Sequence, residues 1–199
     1  MQRSQLTELH YITSIANIPS MLQRGLLSHR LAAQVPHQSV AMAAIQGRRA
    51  AKQVPGGRPL HEYVNLYVNG RNVMLSKVLY GYTIDDVCVL RVQPDVVDMP
   101  NVVIADQNAA SDYVRFADAS AGLALIDQDT VFAEYWTHPG DQIAEWRHKS
   151  AMCAEVLVPD TVAPASIVGA FVGSAAAQQN AAAATGGLTV TLNKYMFFR

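Results

Sequence analysis

The sequence predicts an α+β fold built on a central, mostly antiparallel sheet flanked by helices. Three observations carry this expectation. Apolar and polar residues alternate with period two in EYVNLYV, the signature of a half-buried strand. Apolar residues recur at helical spacing between Ser14 and Gly25, at Ile15, Ile18, Met21 and Leu22. Strand-like and helix-like runs do not alternate strictly, which argues against a doubly wound parallel sheet.

The elements follow in order. LHYIT (9–13) reads as a short strand running directly into a helix, capped by Thr13 or Ser14 and stopped by Gly25. Residues 26–38 read as a connector. SVAMAAIQGRR (39–49) has a short apolar core and a paired-arginine end, and the Pro/Gly-rich loop after it, AAKQVPGGRPL, is expected to be exposed and mobile. In the next strand Tyr63, Asn65 and Tyr67 share one face and Val64, Leu66 and Val68 the other, with Asn69-Gly70 as the turn. A helix is expected from Val73 to Tyr80, a buried strand over VCVLRV (87–92), and a short strand in NVVIAD (101–106). Residues 112–150 mix short helical pieces, an aromatic cluster (Phe132, Tyr135, Trp136) and the polar segment HPGDQIAEWRHKS. SAMCAEVLVPD and SIVGAFVGS read as strands, SAAAQQNAAAAT as a helix ended by Gly186-Gly187, and LTVTLNKYMFF as a closing strand. No repeat or linker divides the chain, so residues 1–199 are expected to form one domain.

Composition narrows the function. The chain is 50% hydrophobic and 16% charged, with a formal net charge of −1, which excludes a disordered chain and a surface that coats polyanions. A nucleic-acid partner would have to sit in a local groove. Two distant cysteines in apolar runs support neither a disulfide framework nor a zinc site, and the six histidines show no ligand spacing, so no metal is expected. MQRSQLTELH lacks a signal peptide's apolar stretch, and IVGAFVGSAAA is too short to span a bilayer. The expectation is a cytoplasmic protein with no membrane partner.

Three features carry chemistry. Glu155 lies among apolar neighbours, where a carboxylate is costly unless paired or facing a cleft. It reads either as half of a structural salt bridge or as a carboxylate that stabilises a developing positive charge. Arg48, Arg49 and Lys52 before Gly56-Gly57 read either as a solvated basic helix end or as a phosphate clamp, without matching any nucleotide-binding fingerprint. The Tyr63/Asn65/Tyr67 face reads as packing or as a stacking wall for a nicotinamide or a base. No Ser-His-Asp order or nucleophile elbow is present.

Taken together, LHYITSIANIPSMLQRGLLS, SVAMAAIQGRRAAKQVPGG, LHEYVNLYVNGRNVML and KSAMCAEVLVPD resemble, in order and spacing, the DarT toxins. The resemblance covers about Leu9 to Pro159. It implies an ADP-ribosyltransferase-like fold and a toxin that uses NAD to attach ADP-ribose to a base, thymine or guanine, in single-stranded DNA. It also implies a macrodomain antitoxin of the DarG type as partner. Carried over by position, the resemblance makes Arg49 and Glu155 the catalytic pair. It assigns Tyr11, Thr13, Arg49, Tyr67, Met74 and His10 to the NAD pocket. Arg71, Trp146, Arg147, His148 and Lys149 are the candidates for DNA contact, and the loop 53–60 is expected to fold over NAD. The family's usual Tyr-His-Ile-Thr is here His10-Tyr11-Ile12-Thr13, and Ala44 stands where some members carry His. Because neighbouring strand residues face opposite ways, the swap puts Tyr11 rather than His10 toward the pocket. The alternatives are a transferase of the same fold acting on RNA or protein, and a non-catalytic nucleotide-binding module.

Overall fold

The computed structural model describes residues 1–199. Its elements are β1 (Leu9–Ser14), α1 (Ile18–Arg24), β2 (Leu26–Leu27), α2 (His29–Ala32), α3 (Ala43–Ala50), β3 (Tyr63–Tyr67), α4 (Val73–Gly81), β4 (Val87–Val92), β5 (Val103–Ala105), β6 (Phe116–Asp118), α5 (Ala119–Gly122), α6 (Gln128–Val131), α7 (Gln142–Ala151), β7 (Glu155–Pro159), β8 (Thr161–Val162), β9 (Ile167–Val172), α8 (Ala175–Thr185) and β10 (Val190–Leu192). No helix is long and apolar enough to cross a membrane.

Eight strands form one sheet in the order β10-β9-β4-β1-β3-β7-β5-β6, and β2 and β8 form a small second sheet. Every neighbouring pair is antiparallel except β9 and β10. The mostly antiparallel α+β reading therefore holds.

The central sheet is split. β1 pairs with β4 through six residues and β3 with β7 through five, whereas β1 meets β3 at the single pair His10↔Tyr67. Two four-stranded halves are thus joined at one point, and a cleft lies where β1 and β3 do not pair.

The core lies on the sheet face built from alternate residues: Leu9 on β1, Val64 and Leu66 on β3, Leu90 on β4, Val156 and Val158 on β7. Ile18 of α1 and Ala177 and Ala181 of α8 pack on it, and the small alanines let α8 lie close. Truncating a fully buried member such as Leu66 to Ala would cost about 2–5 kcal/mol. Helix ends follow the local chemistry: Asn72 Oδ1 accepts from the Leu75 N–H at the start of α4, Asp141 from Ala144 at α7, and Ser174 from Ala177 at α8. Gly25, at φ +85°, closes α1 by donating its N–H to Met21; a Cβ there would stand 2.1 Å from the Val162 carbonyl oxygen, so only glycine lets β2 reach β8.

Four expectations need correction. The stretch 150–154 is not strand. The Asp141 cap and the Glu145–Lys149 pair carry α7 to Ala151, a turn follows, and the strand begins at Glu155 itself. The closing strand is only Val190–Leu192; Asn193 Oδ1 then accepts from the Met196 N–H and turns the chain, burying Met196 and Phe197. The connector 26–38 contains β2 and α2. The loop 53–60 is pinned rather than free: Gln53 bridges Pro59, Val54 is buried, and Arg58 pairs with Asp160 at 2.6 Å.

Candidate active site

The cleft holds about 1270 Å³ including its open mouth. Tyr11, Ile12 and Thr13 of β1 line one side, Tyr63, Asn65 and Tyr67 of β3 the other, and Met74 of α4 and Arg49 of α3 also line it. β1 contributes Tyr11 and Thr13 from one face and Ile12 from the other, whereas β3 contributes only the Tyr63, Asn65 and Tyr67 face.

A strap without regular structure, residues 36–42, runs along the cleft and borders it, while the loop 53–60 reaches it only through Leu60. Buried Asn17 suspends the strap. Its Nδ2 donates to Gln38 O (2.8 Å) and Thr13 Oγ1 (3.1 Å), and its Oδ1 accepts from Gln38 N–H (2.8 Å). The Ser14 hydroxyl donates to Gln38 Oε1 at 2.9 Å, and Tyr82 donates its hydroxyl to Ser39 O at 2.8 Å. One amide thus reads both backbone groups of a residue 21 positions away, as a strand neighbour would.

At the wall of the cleft Arg49 Nη1 donates to both oxygens of Glu155, at 2.9 and 3.3 Å. Glu155 is wholly inaccessible and also accepts the Ala109 N–H at 3.0 Å. Its carboxylate therefore meets the cleft through Arg49, whose Nε and Nη2 donate to no protein group. Strand pairing places Tyr67 and Ala105 on either side of Glu155. Burial, and then the Glu155 charge, hold the Tyr67 phenol well above its usual range, and burial raises the Tyr11 phenol against the opposing Arg49 charge. Both phenols stay protonated through the neutral range. Lys52, on the turn after α3, pairs with Asp112 at 3.1 Å and donates to Ser111 O, tying the arginine helix to the loop that carries Ala109.

Of the residues assigned by resemblance, Tyr11, Thr13, Arg49, Tyr67 and Met74 are brought together at the cleft, with Glu155 directly behind Arg49. His10 is not. It lines a second hollow, its Nε2 is 3.1 Å from Glu8 Oε1, and Glu8 Oε2 accepts from Arg91 at 2.7 Å. Arg71 lines that hollow too and donates to Tyr195 O and Glu134 O. Trp146 and Arg147 are exposed on α7, outside the cleft lining. His148 is held by His138 at 2.8 Å and by Thr130 O, and Lys149 by Glu145. Sequence reasoning missed Asn17, Gln38 and the Ala109 amide. A lone Asn four residues after a strand Thr was the available signal, but its partner was hidden in a loop.

A sheet whose halves are joined at one residue pair, with the buried Arg49–Glu155 pair beside the cleft, is the setting in which the comparisons place a known family. The family model described as "ssDNA thymidine ADP-ribosyltransferase, DarT" matches residues 10–197, and the chain belongs to this family. A DNA ADP-ribosyl transferase–DNA ADP-ribosyl glycohydrolase fusion protein of Thermosipho africanus is 31% identical over 172 residues, 83% of this chain and 42% of the relative. The Thermosipho africanus DarTG structure in complex with ADP-ribose superposes with a TM-score of 0.83 at 28% identity, covering 96% of this chain and 51% of that one. The Thermus sp. 2.9 DarT structure in complex with ADP-ribosylated ssDNA gives a TM-score of 0.82 at 25% identity, covering 97% of both chains. The chain spans about half the length of the Thermosipho proteins it matches.

Proposed function

We propose that this protein transfers ADP-ribose from NAD to a base in single-stranded DNA. Thymine is the base favoured by the description of its family. The observation that carries the reading is the buried Arg49–Glu155 pair at the parting of the sheet, with Tyr11, Thr13 and Tyr67 beside it.

The chemistry suits these residues. When the bond from the ribose anomeric carbon to nicotinamide breaks, its electron pair leaves with the nicotinamide nitrogen and positive charge builds on the ribose. Glu155, preorganised by Arg49 and the Ala109 amide, supplies a fixed negative charge beside it. The free Nε and Nη2 of Arg49 suit ribose or phosphate oxygens. Arg49 stands between Glu155 and the cleft, so the carboxylate reaches the acceptor only if Arg49 turns toward NAD. The acceptor nitrogen forms the new bond to the anomeric carbon, and its proton passes to the Glu155 carboxylate. Neutral Tyr11 and Tyr67 present aromatic faces and hydroxyls to the nicotinamide end. A single-stranded target removes the cost of unstacking the base.

The relatives support a toxin role. The Thermosipho protein joins a DNA ADP-ribosyl transferase to a glycohydrolase, and a macrodomain antitoxin of this activity is the partner that fits here. A cytoplasmic location suits a reaction that uses NAD and DNA, and residues 1–199 are read as one transferase domain.

Incubation with NAD and single-stranded oligonucleotides, each varying one base, should add the mass of one ADP-ribose to thymine-containing strands. Glu155→Ala should abolish the adduct. A label found only on RNA or protein acceptors run in parallel would overturn the DNA reading, and NAD binding without turnover on any acceptor would overturn catalysis.

A further inference from the structure

Beside the cleft lies a ledge of aromatic side chains that the proposed reaction does not use. Tyr135 is 69% exposed, Tyr195 58% and Phe132 46%, a cluster of rings that a solvated surface does not ordinarily leave bare. The ledge begins at the reacting centre. Trp136 packs on the group that includes Tyr67 and Met74, and Tyr67 stands opposite Glu155. The other edge of Trp136 meets Phe198 in a T-shaped contact at 5.7 Å. The Arg71 guanidinium then sits 4.6 Å from the ring centres of both Phe198 and Tyr195, and Tyr135 directly follows Glu134, whose carbonyl Arg71 holds.

The ledge is held rigid. Arg71 donates Nε to Tyr195 O at 3.1 Å and Nη1 to Glu134 O at 2.6 Å, so three distant segments are clamped together: the β3–α4 turn, the loop before α7 and the C-terminal turn. Its Nη2 donates to no protein group.

We infer that this ledge, from Trp136 through Phe198 and Arg71 to Tyr195 and Tyr135, is the track for the nucleotides that flank the target base in single-stranded DNA. Every base has a face that stacks on an aromatic ring, so such a platform holds a strand without reading its sequence. Lys194 and Arg199 on the same C-terminal turn, with the free Arg71 donor, suit passing phosphates; the acidic neighbours are Glu134, exposed, and Glu8, engaged by His10 and Arg91. Stacking supplies the sequence-tolerant part of the affinity, and the salt dependence should reflect only the few phosphate contacts made by these cations.

The inference rests on the DNA reading above and is tested apart from it. Fluorescent single-stranded oligonucleotides of about 4 and about 12 nucleotides are compared for binding without NAD and for modification with NAD. The double variant Tyr135→Ala/Tyr195→Ala should weaken binding of the long oligonucleotide roughly tenfold or more. It should lower the long-to-short ratio of kcat/KM and leave the KM for NAD unchanged. Tyr135→Phe/Tyr195→Phe, which keeps the rings, should bind like the parent. An alanine variant that keeps the long-strand advantage overturns the track. So does a phenylalanine variant as weak as the alanine one, or a variant that loses only inhibition by an antitoxin protein. If the parent modifies no DNA, the function reading fails, and the binding measurement still decides the ledge.

Discussion

Glu155 has no accessible surface, and its only ionic partner is Arg49, so neither side chain can be removed quietly. Glu155→Ala leaves a guanidinium and the Ala109 N–H without their acceptor, and Arg49→Ala leaves a buried carboxylate without its counterion. Each is expected to cost about 3–5 kcal/mol. Replacing the pair together by Arg49→Met/Glu155→Leu removes both charges and should recover most of that loss while abolishing transfer. Denaturant midpoints and the oligonucleotide assay, read on the same preparations, separate the two effects. A double variant as unstable as either single one would show that packing, not charge, holds this wall. Glu155 as a misfit in an apolar run and Arg49 beside a second arginine were both legible in the chain. That they meet was not, because a separation of 106 positions hides the contact.

At the scale of elements, the strap and the split sheet make the site. Asn17 saturates its amide on Gln38 and Thr13, so Asn17→Ala frees the strap at its centre. Asn17→Asp keeps an acceptor for Gln38 N–H but sets a carboxylate against Gln38 O, and should be no better. Both variants are expected to raise the KM for NAD about tenfold or more, in line with the loss of a buried hydrogen-bonded clamp, with a smaller change in kcat. Steady-state kinetics with NAD varied at saturating DNA would show this; an unchanged KM would mean that the strap takes no part in binding. The loop 53–60 shows how composition misleads: glycine and proline announced a free loop, but the bridge from Gln53 to Pro59 and the Arg58–Asp160 pair hold it. The SAMC segment misled in the other direction. Its apolar residues suited a strand, but the Asp141 cap carried the helix to Ala151.

For the whole molecule, acid stability is the measurable sum. The His29 and His61 rings lie tilted against each other with centroids 4.1 Å apart, near Arg49, and burial first, then neighbouring positive charge, lowers both pKa values from 6.5. The unfolded chain takes up those protons near pH 6.5 while the folded protein resists, so their contribution is complete above pH 6.5 and is lost as pH falls through the lower folded values. The shifted carboxylates, Glu8, Asp98, Asp127 and Asp160 among them, act only from about pH 4.5 downward, because their unfolded values lie at 4.5 or 3.8. Stability should therefore decline between pH 6.5 and 4.5, and His29→Gln/His61→Gln should flatten that decline. Urea midpoints across this range test it, and a slope unchanged in the double variant would assign the loss elsewhere.

The order of residues by itself determined which stretches become strands and helices near their hydrophobic stripes, and where glycine ends α1 and α8. These depend on neighbours a few positions apart, within the reach of periodicity and capping. Only the tertiary structure decided that β1 and β3 part after one pair, that Glu155 stands behind Arg49, that His10 turns away from the cleft, and that an asparagine on β1's flank carries the strap. Each of these is a contact between segments distant in the chain, set by how the two halves of the sheet pack, and no local pattern encodes it.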